Sequence, residues 1–413
     1  MIRTVLLHLA RDSLTLLSPH PYHCSLSHDR ANHISLPDKS AQTCQEWIAS
    51  YPRDDSPYND LGVTYCEEGQ YEKAEEAIRQ RIALTPDNLT GYDNLANIQL
   101  ALQRFDEARQ AIAQEHARKL DDFVGREALY AAAFLRGDSS AMAEQLQWFA
   151  GRPEENFGLS LASDTEAYVG HLGNAREFTR RSLDSAVHAD SKETGAIWLE
   201  NSALREAAFG NLTQAKQEGA EGLKLVPTSQ GAESESALAL AMAGDTARAE
   251  SLAEDLDKRF PLGTQMQSLW LPAIRAQLAL DQKNPASALN TLQSASLIEL
   301  GNIPFVNNIS CLYPTYVRGE AYLAAGQGTA AAAEFQKILD HSGIVWNCWT
   351  GALAHLGVAR ANMLQSRAAQ GAVADAARVR ALAAYKDFLT LWKDADPDIP
   401  ILKQATTEYA KMQ

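Results

Sequence analysis

Residues 56–88 read SPYNDLGVTYCEEGQYEKAEEAIRQRIALTPDN, and residues 90–122 read TGYDNLANIQLALQRFDEARQAIAQEHARKLDD. A shift of 34 residues places Tyr58 on Tyr92, Leu61 on Leu95, Gly62 on Ala96, Ala74 on Ala108 and Ile78 on Ile112. The same distance places Ala203 on Ala237, Gly210 on Gly244, Ala215 on Ala249 and Pro227 on Pro261. Self-similarity at a fixed period of this size indicates a repeat array in which each unit packs on its neighbours.

The residues at the matching positions predict a pair of packed helices. A small residue on the first helix faces an alanine on the second, so the two helices approach closely, and larger side chains fill the groove to the next pair. The pattern resembles the tetratricopeptide repeat (TPR), and it is carried by Tyr58, Leu61, Gly62, Tyr65, Ala74, Ile78 and Pro86. Arg81 departs from it, because alanine is usual there.

The same pattern, with degenerate copies, continues along the chain. We therefore predict an all-α fold, a right-handed superhelical solenoid of about nine TPR-like antiparallel helical hairpins. The predicted parts are a disordered, non-repeat leader (1–40), an N-terminal solenoid part (41–295), an extended apolar connector (296–315) and a C-terminal solenoid part ending in a capping helix (316–413).

The leader differs from the rest of the chain in composition. It holds five of the ten histidines and three prolines that interrupt helices. His20, His23, Cys24 and His28 suggest a metal site, but a disordered leader is the favoured interpretation. The break near residue 41 suggests an array cut from a longer parent, or a misassigned start codon.

Composition restricts the classes of partner. Lys and Arg total 37 against 52 Asp and Glu, a formal net charge of −15, so the chain repels phosphate backbones and nucleic acid is an unfavourable partner. No run of eighteen apolar residues occurs, which excludes membrane insertion through a spanning helix. The five scattered cysteines show no CxxC motif and predict free thiols, a reducing compartment and cytoplasmic localisation.

Two C-terminal segments carry a narrower resemblance. Residues 385–403 (YKDFLTLWKDADPDIPILK) and 346–349 (WNCW) resemble the C-terminal TPR regions of bacterial, notably acidobacterial, eukaryotic-like serine/threonine kinases. The kinase motifs are missing, since residues 8–12 (HLARD) do not form a catalytic loop and Asp122-Phe123-Val124 lacks the glycine of a metal-binding loop. Phosphotransfer is not implied, and we predict that the chain is not an enzyme.

Other candidate chemistry is weak. We predict no catalytic, cofactor-binding or metal-binding residues, because no nucleophile triad, phosphate loop or HExxH motif occurs. Asp394, Asp396 and Asp398 alternate along the chain, and a turn with helix-capping acids is favoured over a cation site. Trp346 and Trp349 share one helical face, where core packing is favoured over a role as ligand anchors.

The TPR resemblance implies a binding groove formed by the first helices. Mapped onto this chain, the groove positions include Asn59, Val63, Glu67, Asp93, Asn97 and Leu100. Lysine is absent from the positions where carboxylate-clamping TPRs place it, so a groove that hydrogen-bonds an extended or helical peptide backbone is the alternative to merely solvated helix faces.

The predicted function is a protein–protein interaction scaffold that binds peptide segments in this groove. The alternative is a sensory or regulatory arm of a serine/threonine kinase or transcription-regulator system whose catalytic or DNA-binding domain is absent from this chain. The sequence leaves the oligomeric state open.

Overall fold

The computed structural model describes residues 37–302 and 310–412, and all regular secondary structure in these two ranges is helical. The prediction of a disordered leader therefore lies outside the described residues, apart from residues 37–40, which belong to the first helix. Ser40 is buried there and its hydroxyl hydrogen-bonds that of Thr64. In the described ranges no helix is both long and apolar enough to span a membrane.

The helices of the N-terminal part follow one another through short turns. They are α1 (Pro37–Ser50), α2 (Ser56–Glu67), α3 (Tyr71–Leu84), α4 (Leu89–Ala101), α5 (Phe105–Ala117), α6 (Phe123–Leu135), α7 (Ser139–Phe149), α8 (Glu155–Tyr168), α9 (Leu172–His188), α10 (Lys192–Phe209), α11 (Leu212–Leu225), α12 (Gln230–Met242) and α13 (Thr246–Arg259).

The second part begins with a π-helical turn and contains one short helix between two hairpins. Its helices are α14 (Leu271–Asp281), α15 (Pro285–Thr291), α16 (Tyr313–Ala324), α17 (Gly328–Asp340), α18 (Ser342–Val345), α19 (Trp349–Ala368), α20 (Gly371–Leu391) and α21 (Pro400–Ala410). The π-helical turn Met266–Trp270 leads directly into α14, where Pro272 lies in the first turn. Proline lacks the N–H of the regular helical ladder, and the π-helical turn stands directly before it.

Successive helices pair into hairpins, beginning with α2/α3 and α4/α5 and ending with α16/α17 and α19/α20. Glycine makes the close approach possible. A Cβ atom on Gly62 of α2 would lie 2.6 Å from Ile78 Cδ1 of α3. In the C-terminal part Gly319 and Gly357 both face the ring of Phe335, at 2.8 and 2.4 Å from the position of a Cβ atom. The prediction of an all-α solenoid of TPR-like hairpins is confirmed.

The first helix of each hairpin packs on the first helix of the next, so α2, α4, α6, α8 and α10 form an inner row that continues through α12, α14, α16 and α19. The two ends of this row also meet. Helix α18 packs on α4 and α6, α19 packs on α8, and α21 packs on α10. The solenoid thus winds far enough for its C-terminal part to close against its N-terminal part.

The predicted apolar connector is only partly visible, because residues 303–309 lie outside the described residues. The connector begins at the end of a 3₁₀ turn, Leu292–Leu297, and continues to Glu299, which pairs with Arg318 at 2.5 Å and with Lys337 at 2.8 Å. Beyond it, Tyr71 donates a hydrogen bond to the Leu300 carbonyl at 2.6 Å. This section is therefore fastened to the edge of the first hairpin.

The expectation of free thiols is wrong for three of the described cysteines. Cys311 and Cys348 form a disulfide with a Cα–Cα distance of 5.7 Å, and Cys44 is disulfide-bonded as well, whereas Cys66 is free. The Cys311–Cys348 pair escaped the sequence reasoning because the two residues stand 37 positions apart and meet only when the hairpins stack. The disulfide ties the start of α16 to the start of α19.

Candidate functional site

The predicted groove residues all lie on α2 and α4, but they do not form one open strip. Asn59, Val63 and Asn97 are half-buried, whereas Glu67, Asp93 and Leu100 are buried. The structure therefore separates an accessible central set from residues that take part in packing.

Asn59 is held by its neighbours rather than left free. Its Oδ1 accepts hydrogen bonds from the guanidinium of Arg81 and, at 3.0 Å, from the amide of Asn94. Arg81 also donates to Asn88 Oδ1 at 3.2 Å and pairs with Asp55. The departure from the repeat pattern at Arg81 thus has a structural role, because the buried guanidinium orients the polar residues between the first two hairpins.

The two buried residues at the ends of the helices are covered by the chain itself. A Cβ atom on Gly301 would lie 2.0 Å from the carbonyl oxygen of Glu67, and one on Gly343 would lie 1.8 Å from that of Leu100. The main chain of Asn302 also donates a hydrogen bond to the Cys66 carbonyl at 2.9 Å. Segments of the C-terminal part therefore seal the edge of the predicted groove.

The tryptophans of the 346–349 segment lie next to these contacts between the C-terminal part and the groove. Trp346 and Trp349 are buried, and Trp346 donates its ring N–H to the Gly343 carbonyl at 2.9 Å. Between them, Asn347 donates to the Leu161 carbonyl of α8 at 2.9 Å. The prediction that both tryptophans serve as core residues is confirmed, but the prediction that they share one helical face is wrong, because Trp346 lies at φ 52° between α18 and α19.

A buried polar centre lies further along the inner row, and the sequence analysis did not find it. Arg205 of α10 is 1% exposed and pairs with Asp164 of α8 at 3.0 Å. Its second terminal nitrogen donates to the hydroxyl oxygens of Ser163, Thr179 and Ser202 at 3.0–3.2 Å. In the sequence, this centre is indicated only by an arginine that stands among alanines and leucines on an inner helix.

Burial controls the charges of this centre. It raises the pKa of Asp164 to about 6, although Arg205 opposes the shift. Burial also raises the pKa of Glu235 and of Tyr313, and the carboxylates of Glu235 and Asp164 add to the shift of Tyr313. With four acceptors around it, the Arg205 guanidinium acts as an internal tie between α8, α9 and α10.

The residues considered for metal binding in the sequence analysis lie in different parts of the chain, and only some of them are described by the structure. His20, His23, Cys24 and His28 lie outside the described residues. Asp396 is part of a turn, since its carboxylate accepts a hydrogen bond from the Gly173 main chain at 2.7 Å and its own main chain donates to the Gly170 carbonyl. A separate group, Glu115, His116 and Asp121, brings its ligand atoms within 4.8 Å of one another.

Comparison with known proteins supports the repeat assignment. The family model of the tetratricopeptide repeat matches residues 43–76, which span the second half of α1, all of α2 and the start of α3. No curated protein matches the chain. The N-terminal part of the solenoid therefore contains a tetratricopeptide repeat.

Solved structures of similar shape are distant in sequence. The yeast Tom70 structure is 12% identical, with 91% of this chain and 92% of that chain covered and a TM-score of 0.40. The human IFIT1 dimer with PPP-AAAA is 15% identical, with 97% and 89% covered and a TM-score of 0.46. A tetratricopeptide repeat protein from Parabacteroides merdae is 14% identical, with 78% and 99% covered and a TM-score of 0.33. None of these likenesses bears on function.

Proposed function

We propose that this chain is a non-catalytic scaffold that binds a peptide segment of a partner protein along the inner faces of α2 and α4. TPR folds generally mediate protein–protein interactions, and one observation localises the proposal in this chain. Asn59, Val63 and Asn97 stay half-exposed on neighbouring inner helices, while the ends of the same helices are covered by the chain's own loops.

The chemistry of this strip suits a peptide main chain. The side-chain amides of Asn59 and Asn97 offer N–H donors, because Asn59 Oδ1 already accepts from Arg81 and Asn94, and Asn97 uses one of its two N–H groups on the Asp93 carbonyl. Val63 adds an apolar contact on the same strip. Arg81 and Asn94 fix the orientation of Asn59, so little side-chain freedom is lost when a ligand binds. An extended or helical segment with unpaired main-chain groups is the ligand class that this strip favours.

Selection from a displayed random-peptide library on the purified chain tests the proposal. Peptides recovered with the natural protein are measured against Asn59→Ala/Asn97→Ala, and we expect at least about a tenfold loss of affinity, the effect of losing one or two hydrogen bonds. The matched control is Gln80→Ala/Gln110→Ala, which removes two amides from exposed positions of the second helices α3 and α5.

Circular dichroism of each variant confirms that the helices persist. Peptides that bind the double asparagine variant as tightly as the natural chain would show that this strip is not the binding surface. Equal losses in both double variants would also reject it, because the effect would then not depend on the inner face.

A second candidate is the regulatory arm of a serine/threonine kinase or transcription-regulator system. The segment that carries this resemblance has a clear structural role, since Trp392 is buried and donates its ring N–H to the Tyr168 carbonyl at 3.0 Å. The DNA upstream of codon 41, read together with N-terminal sequencing of the endogenous protein, tests this function. A kinase or winged-helix domain in the same transcript supports it, and a confirmed residue 1 with no such domain upstream rejects the severed-arm form.

Cytoplasmic localisation and the absence of a nucleic-acid partner also stay predictions. The net charge of −15 supports the second, and a mobility-shift assay with mixed RNA and DNA tests it. The Cys311–Cys348 disulfide argues against the first, because disulfides persist mainly in oxidising compartments. Cell fractionation with alkylation of free thiols before lysis distinguishes the two compartments.

A further inference from the structure

A closed pocket of carboxyl groups lies between the second hairpin and the helix that follows it. Asp93 projects from α4, Glu115 from α5 and Glu127 from α6, and these residues are 4%, 0% and 2% exposed. Gly125 of α6 leaves the space between the first two open, because a Cβ atom there would lie 3.1 Å from Glu115 Oε2 and 3.2 Å from Asp93 Oδ1.

In the preceding hairpin, the corresponding pocket contains a positively charged side chain. The 34-residue shift places Arg81 on Glu115, Asn59 on Asp93, Asn88 on Asp122 and Gly91 on Gly125. In the first hairpin the guanidinium of Arg81 fills the pocket and donates to the side-chain oxygens of Asn59 and Asn88. A positive charge thus compensates the oxygen atoms that converge on this position.

In the second hairpin the arginine is replaced by an acid and both asparagines by aspartates. Within the described residues, Glu115 Oε1 and Oε2, Asp93 Oδ1 and Glu127 Oε1 are buried and accept no hydrogen bond from any other group, apart from the bond between the carboxyl groups of Asp93 and Glu115. When ionised, such buried carboxylates cost several kcal/mol unless a positive charge lies beside them. The pocket therefore keeps the oxygen ligands of the first hairpin and lacks its cation.

Two further side chains border the pocket. His116 and Asp121 are about one-third exposed, but His116 Nε2 itself is buried and lies 3.4 Å from Asp121 Oδ1. Their ligand atoms lie within 4.8 Å of that of Glu115. Arg126 donates to both oxygen atoms of the Asp121 carboxylate, to Oδ1 at 2.8 Å and to Oδ2 at 2.9 Å, and Trp148 donates its ring N–H to Oδ2 at 3.0 Å. Such contacts hold a metal-ligating carboxylate in orientation.

We propose that Glu115, His116 and Asp121 bind a divalent cation, with Asp93 as a further carboxylate on its buried side. One imidazole together with carboxylates favours Zn²⁺ or Mn²⁺ over Mg²⁺ and Ca²⁺, which prefer oxygen ligands alone. The cation occupies the place that the Arg81 guanidinium takes in the first hairpin, and it joins α5 to the loop before α6.

The test titrates the chelator-treated full-length chain with ZnCl₂ and MnCl₂, and with MgCl₂ and CaCl₂ for comparison, by calorimetry and by thermal denaturation. Because the N-terminal residues are rich in histidine, the background is a His20→Asn/His23→Asn/His28→Asn variant. We expect one equivalent of Zn²⁺ or Mn²⁺ and a rise of several degrees in Tm. His116→Asn is expected to weaken binding at least about tenfold, whereas His188→Asn, at an exposed histidine of α9, leaves it unchanged.

A second variant keeps the proposal testable if substitutions at the pocket disturb the fold. Glu115→Arg supplies the guanidinium of the first hairpin, so we expect a folded chain whose Tm no longer responds to Zn²⁺ or Mn²⁺. Two results overturn the proposal: no titratable equivalent in the background chain, or undiminished binding in both His116→Asn and Glu115→Arg.

Discussion

Gly343 lies directly on the main-chain carbonyl of Leu100, two residues separated by most of the solenoid. A Cβ atom on Gly343 would lie only 1.8 Å from that oxygen. Gln103 strengthens the contact, because its side-chain amide donates to the Asp340 carbonyl. The closure of the C-terminal part against the N-terminal part therefore depends on a position that no larger residue can occupy without moving the main chain.

Gly343→Ala is expected to loosen this closure and lower the free energy of unfolding by about 1–3 kcal/mol, because a clash with main-chain atoms cannot be relieved by a side-chain rotation. The measurement is urea denaturation followed by circular dichroism. Gly173→Ala is the matched control, since a Cβ atom there would lie at an ordinary 3.4 Å from Asp396. Equal stability of the two variants would show that the closure tolerates displacement.

Removing the Cys311–Cys348 disulfide is expected to destabilise the C-terminal hairpins. For a separation of 37 residues the chain-entropy relation gives about 4 kcal/mol at 25 °C. The measurement compares thermal denaturation of Cys311→Ser/Cys348→Ser with the natural chain in the absence of reductant. Cys66→Ser, which removes a thiol outside any disulfide, is the control. A double variant as stable as this control would contradict the expectation.

Features that repeat with the hairpins could be predicted from the sequence. Close packing of Gly62 against Ile78 follows from the small residue at a fixed place in the repeat. An asparagine directly before a proline is typical of a helix start, and the Asn284 side chain accepts a hydrogen bond from the Ser287 main chain at 3.1 Å. Such contacts join residues a few positions or one helix apart, so a local pattern suffices to reveal them.

Contacts between distant hairpins could not be predicted in this way. The burial of Glu67 and Leu100 results from how far the superhelix winds before its parts meet, and that pitch is a sum of small rotations that the repeat pattern does not encode. The acidic pocket around Glu115 was missed for another reason. Comparison of the two hairpins used their apolar matches, whereas the exchange of Arg81 for Glu115 appears only when the buried polar positions are aligned.

The natural chain is expected to lose stability in acid partly because Glu299 becomes protonated, and Glu299→Gln should lack this part of the loss. Although burial opposes it, Arg318 and Lys337 lower the pKa of Glu299 from 4.5. The folded-state pKa is therefore below the unfolded one, so its contribution is full above about pH 4.5 and is lost as the pH falls through the folded value. At pH 7 we expect the variant to be less stable by about 2 kcal/mol, the effect of lost charged hydrogen bonds.

The readout for Glu299→Gln is the free energy of unfolding from pH 7 to pH 3. The difference from the natural chain should shrink as the pH falls. Glu76→Gln, at an exposed position of α3, provides the baseline. A difference that stays constant across this range would indicate that the ion pairs with Arg318 and Lys337 do not control the titration of this carboxyl group.

For Glu115→Gln we expect the opposite pH dependence of stability to that of Glu299→Gln. The pKa of Glu115 is raised to about 8, so between about pH 4.5 and pH 8 the folded chain keeps a proton that the unfolded chain has released. Linkage then makes the natural chain less stable as the pH rises through this window. Glutamine carries no charge to bury, and in chelator at pH 8.5 we expect the variant to be more stable by at least about 1.4 kcal/mol, one pKa unit.

At pH 5 the natural chain and Glu115→Gln should unfold at nearly the same urea concentration, because the carboxyl group is then protonated in the folded chain. Asp93 and Glu127 also have raised pKa values through burial. The free energy of unfolding of the variant should therefore still fall with rising pH, but less steeply than that of the natural chain. Glu76→Gln should reproduce the natural profile. A variant that loses stability with rising pH as steeply as the natural chain would show that Glu115 is ionised in the folded protein without a cation beside it.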